Sequence, residues 1–175
     1  MVIRQEQTEK EVHCGAFVNG ARNYCSAADL LLRMRQTEAV SLDPIYMLYF
    51  HAAELALKGF LRFRGNETDA LKAGWKHNLE KLHADARASG LDPEPADSLD
   101  LQNVVHLLYS ANKQEAFRYF TWESRVIPDL EWASKIVNTL VALVEKRTGQ
   151  TTGKPGPAVK INLVIGQPVS KSLDV

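Results

Sequence analysis

With 175 residues, 45% of them hydrophobic and 24% charged, the chain has the size and composition of one soluble globular domain with room for an arm or tail. Lys plus Arg and Asp plus Glu both number 21, so no net field draws it to nucleic acid or to an anionic membrane. Two cysteines, Cys14 and Cys25, are too few for a disulfide-stapled scaffold, the polar N-terminus lacks a signal peptide's apolar core, and no run reaches the ~18 apolar residues of a membrane span. A cytoplasmic protein with reduced thiols, away from the membrane, is expected.

Residues 1–20 are polar and without period, a loose lead-in. From Ala21 to about Gln36 the spacing of Tyr24, Ala28, Leu31 and Leu32 predicts a first amphipathic helix, with Arg33 and Arg35 on its wet side. The connection Thr37 to Leu42 is short, so this helix should pack antiparallel to the next.

The chain is organised around the segment from Asp43 to Arg64. Asp43 is placed to cap it, Pro44 suits the first helical position, and Gly65-Asn66 suits its end. Apolar residues recur at Ile45, Leu48, Ala52, Leu55 and Phe63, and again at Phe50, Ala53, Leu57 and Leu61. Two apolar stripes leave only a narrow polar seam of His51, Glu54, Lys58 and Arg62. A helix of this kind belongs in the middle of a domain, its seam facing water, a groove or a partner.

A polar loop leads from Gly65 to a short third helix, which Asn78 caps, Leu79, Leu82 and Ala86 anchor, and Gly90 ends. Asp92-Pro-Glu-Pro95 reads as a rigid loop. Ser98 is expected to cap a fourth helix to about Ser110, with Leu101, Val104, Val105 and Leu108 inward. An aromatic stretch containing Phe117, Arg118, Tyr119, Phe120 and Trp122 precedes Pro128, where the last helix opens; its stripe is Leu130, Ala133, Val137, Leu140 and Val144, and Gly149 closes it.

The sequence thus predicts an all-α antiparallel bundle of four long helices and one short one over residues 21–148. Residues 149–157 read as a linker. Residues 158–175 form a C-terminal arm whose segment Ala158 to Ile165 is strand-like, with Val159, Ile161 and Leu163 on one side. With no partner strand of its own, the arm is expected to pair with the same arm of a second protomer or to lie across that protomer's helices.

At Ala52-Ala-Glu-Leu-Ala-Leu-Lys-Gly-Phe-Leu61, followed by His77-Asn-Leu-Glu-Lys-Leu82 and by Phe117-Arg-Tyr119 before the last helix, the chain resembles the HEPN family of helical bundles. The resemblance covers roughly residues 24–147 and implies a bacterial binding module, a homodimer, a protein partner encoded nearby, and a setting in defence or toxin–antitoxin systems. Many members are metal-independent ribonucleases that use an Arg and a His separated by four to six residues and pooled across a dimer interface. That chemistry needs a base for the ribose 2′-hydroxyl and a cation for the phosphate. No Arg here stands at that distance before a His; the nearest, Arg4 and His13, are separated by eight residues. The expectation is therefore a non-catalytic binding and oligomerisation module. The alternatives are a ribonuclease with a rearranged site drawn from His77, Arg118 and Arg125, and a nucleotide or anion binder at Lys58 and Arg62.

The polar candidates also have plain readings. Glu54 and Lys58 make an i,i+4 pair, and His77 bonds locally at a helix start. Arg118, among aromatics, stacks on them or pairs with Glu54, with Tyr119 beside it. RNA or nucleotide binding gains no support from the net charge. No phosphate loop, HExxH helix or serine elbow implies a cofactor or a metal, and the spacing of His13, Cys14 and Cys25 is a weak zinc signal.

Overall fold

The computed structural model describes residues 13–67, 76–119 and 124–150. Among them are five α-helices: α1 Cys14–Met34, α2 Leu42–Phe63, α3 Leu79–Ala88, α4 Pro95–Ala111 and α5 Leu130–Thr148. A single 3₁₀ turn, Lys113–Glu115, follows α4. The described residues form an all-α bundle, as the periodicity implies, and none of their helices is long and apolar enough to cross a membrane. The expected lead-in up to residue 12, most of the linker and the whole C-terminal arm lie outside the described residues.

Helix α2 is the hub. Helices α1, α3, α4 and α5 all pack against it, and α1–α5, α5–α4 and α4–α3 contacts continue around it. Tyr49, Phe50, Ile45, Leu57 and Leu61 are its buried anchors. Phe63, counted in the apolar stripe, is instead exposed at the last turn. The ring of helices is open between α1 and α3, which have no substantial packing against each other. The polar seam lies along this opening.

The first helix starts at Cys14, seven residues before the expected Ala21. His13 caps it, its Nδ1 accepting from the Gly15 amide at 3.1 Å, and Cys14 and Val18 are buried. The pairing with α2 is close: a Cβ on Gly59 would sit 2.9 Å from Val18 Cγ2, and one on Gly20 would sit 3.0 Å from Leu55 Cδ1. Glycine is needed at the first of these because the helices approach backbone to side chain. Gly15 and Gly20 also explain the missed start, since they interrupt the apolar period of α1, and Gly20 marks the interface. Tyr24, assigned to the inner stripe, is exposed at its edge.

Other boundaries shift for similar local reasons. Ser41, not Asp43, occupies the cap position of α2, which frees Asp43 for a distant partner. Pro95 takes the first turn of α4, where its missing N–H costs nothing, so the helix begins before Ser98. Asp129 caps α5 by accepting from the Trp132 amide at 2.9 Å, and Gly149 ends it with φ of 67°.

Candidate functional site

Glu54 sits at the centre of the polar seam and is only 2% exposed. Its carboxylate is heavily solvated by neighbouring donors. Lys58 Nζ, one turn later, reaches Oε1 at 2.5 Å. His77, on the loop before α3, brings Nδ1 to 3.2 Å from Oε1 and 3.1 Å from Oε2. A carboxylate only accepts, so this contact requires the hydrogen on His77 Nδ1. His51 Nδ1 lies 3.6 Å from Oε2, just beyond hydrogen-bond length, and the Tyr24 ring meets the His51 ring edge to face at 4.5 Å.

Burial alone would raise the Glu54 pKa. The nearby His51 ring, the donors on Lys58 and His77, and the Lys58 charge outweigh it and hold the carboxyl at about 2. A carboxylate this acidic, with both oxygens occupied, is a poor general base near neutrality. The Lys58 ammonium is turned inward onto it rather than outward to a phosphate. Asn78 completes the anchorage: its side chain accepts from the Lys81 amide and fixes the start of α3 directly after His77.

The remaining candidates separate from this cluster. Arg62 Nη1 donates to the Asn66 carbonyl at 3.0 Å and holds the end of α2. Arg118 does not reach Glu54; it donates to Glu115 at 3.0 Å and is 39% exposed, while Tyr119 is exposed beside it. The physical reason is local. The 3₁₀ turn brings Glu115 three residues before Arg118, and a nearby surface carboxylate satisfies it. The role expected of Arg118 belongs to Arg125, whose Nη2 contacts Asp43 at 2.9 and 3.1 Å, whose Nη1 donates to the Ala116 carbonyl, and which lies over the Phe117 ring at 5.5 Å. Phe117 in turn stacks on Tyr46, whose hydroxyl donates to the Pro128 carbonyl.

A second polar node escaped the sequence reading. Asp29 of α1 accepts from Tyr49 Oη at 2.6 Å, Ser134 Oγ at 3.0 Å and Asn138 Nδ2 at 3.1 Å, tying three helices together. Its only signal was polar residues at helical spacing on otherwise apolar sides of α2 and α5. Nearby, burial with help from Asp29 and Glu145 pushes the Cys25 thiol up to about 12, which leaves it unreactive. Among the described residues no group of three or more His, Cys, Asp or Glu side chains could hold a metal ion.

Compared with family models, with curated proteins and with solved structures, the chain gives no match.

Proposed function

We propose that the chain is a non-catalytic, HEPN-like binding and oligomerisation module that acts as a homodimer. The observation that carries this reading is the outer side of α1. Ala16, Asn23, Ala27, Leu30 and Met34 are exposed along one side at the spacing of a helix-pairing seam, with Gly20 at its border against Leu55. None is charged, and Leu30 and Met34 are 50% and 42% exposed. A solvated helix face normally carries charge along such a line.

The seam is also complementary to itself. In an antiparallel pair of α1 helices related by a two-fold axis, Met34 meets Ala16, Leu30 meets Gly20, and Asn23 meets Ala27, large against small throughout. The inward-facing charges of the Glu54 cluster support the non-catalytic part of the reading, and the sequence motifs support the HEPN-like part. The bacterial setting and a neighbouring partner protein rest on the resemblance alone.

Leu30→Glu tests the dimer. It buries a charge where Leu30 meets Gly20 of the second copy and is expected to give a folded monomer by size-exclusion chromatography with light scattering. A variant that stays dimeric would place the interface elsewhere. Incubation of the wild type with single-stranded RNA in EDTA tests the rest, with no cleavage expected; activity that copurifies with the chain would overturn it.

A further inference from the structure

A cleft of about 460 Å³ opens between α3 and α4, away from both the Glu54 cluster and the α1 seam. Glu80, His83 and Arg87 line it from one side of α3, and Gln102, Asn103 and His106 from α4. Glu80 is not available to a ligand as a free charge, because it holds His106 Nδ1 at 2.6 Å and closes that end. The other end is different. The Arg87 guanidinium and the Gln102 and Asn103 carboxamides have no hydrogen-bond or ion-pair partner among the described residues.

His83 adds a second, independent observation. It is 6% exposed, and its Nε2 has no hydrogen-bond partner among the described residues. Buried polar atoms are normally satisfied, so a cleft wall holding an unsatisfied one is short of a partner. Burial, with the nearby Arg87 charge, lowers the His83 pKa.

We propose that this cleft binds a small molecule through an oxyanion, either a phosphate monoester or a carboxylate. Arg87 supplies the planar fork of donors that such a group accepts, and the two carboxamides supply further donors beside it. The Glu80–His106 pair bounds the site at the other end. This site goes beyond the oligomerisation reading and does not depend on it.

The full chain, labelled with ¹⁵N, is titrated with glycerol 3-phosphate, inorganic phosphate and acetate while the side-chain amides of Gln102 and Asn103 are followed by NMR. Saturable shifts with a midpoint near or below about 1 mM are expected for at least one of these probes. Arg87→Gln, at an exposed position, should keep the melting temperature and weaken binding by about tenfold or more. Asn103→Ala should weaken it less. Preference for the phosphates or for acetate identifies the source of the oxyanion. Absence of saturation up to about 10 mM, or equal binding by Arg87→Gln, would overturn the proposal.

Discussion

His77 Nδ1 lies 3.2 and 3.1 Å from the two carboxylate oxygens of Glu54, joining the loop before α3 to the middle of α2 across 23 residues of sequence. That contact, with Lys58 on the same carboxylate, converts a polar interruption of the hub helix into an anchor for a loop. A buried carboxylate paired with an ammonium is costly to break from one side, because the remaining charge loses its partner.

Glu54→Gln should therefore destabilise the bundle by about 3 kcal/mol near pH 7. The sign with pH follows from the direction of the shift. The folded-state pKa, about 2, lies below the ordinary 4.5, so Glu54 contributes fully above pH 4.5 and its contribution fades as pH falls towards 2. Urea unfolding of wild type and variant from pH 7 to pH 2 is the check: the two stabilities should converge at the acid end. A constant difference would show that the pairing is not the cause.

Arg125 and Arg118 should differ sharply. Arg125→Ala removes a bond to Asp43, a bond to the Ala116 carbonyl and the cation over Phe117, and should cost about 2 kcal/mol. Arg118→Ala removes an exposed pair with Glu115 and should change stability by no more than about 0.5 kcal/mol. Denaturant midpoints of the two variants, measured side by side, decide it.

Asp29→Ala should cost about 2–3 kcal/mol, because it leaves Tyr49, Ser134 and Asn138 donors without their shared acceptor. Tyr49→Phe should cost less, about 1 kcal/mol. The two losses should not add in the double variant, since both act on one network. Additive costs in a double-mutant cycle would mean that the bonds are independent.

The parts legible in sequence were those that repeat locally. Most inner positions of α2, among them Ile45, Leu57 and Leu61, recur at helical spacing and are buried, while Leu48 and Leu55 are partly buried and Phe63 is exposed. Glu54 and Lys58, one turn apart, pair as their spacing implies. The start of α1 was hidden because Gly15 and Gly20 interrupt the period, although Gly20 marks close contact with Leu55.

Long-range pairs left no such trace. Asp43 and Arg125 are 82 residues apart, and nothing local distinguishes Arg125 from Arg118, which stands among more aromatics. Asp43 in turn looked like a helix cap because an acidic residue before proline usually reads so. The burial of Glu54 was equally hidden: it depends on a loop residue, His77, folding back over the seam. The α1 seam could have been found from its four-three spacing, but small residues such as Ala16, Gly20 and Ala27 scarcely register in a search for large apolar side chains.

Sedimentation equilibrium of the 175-residue wild-type chain at micromolar concentration tests the oligomerisation module most directly. We expect a mass of twice the 19.6 kDa chain, and a return to the single-chain mass for Leu30→Glu with its helical content unchanged. A wild-type mass of one chain across that concentration range would contradict it.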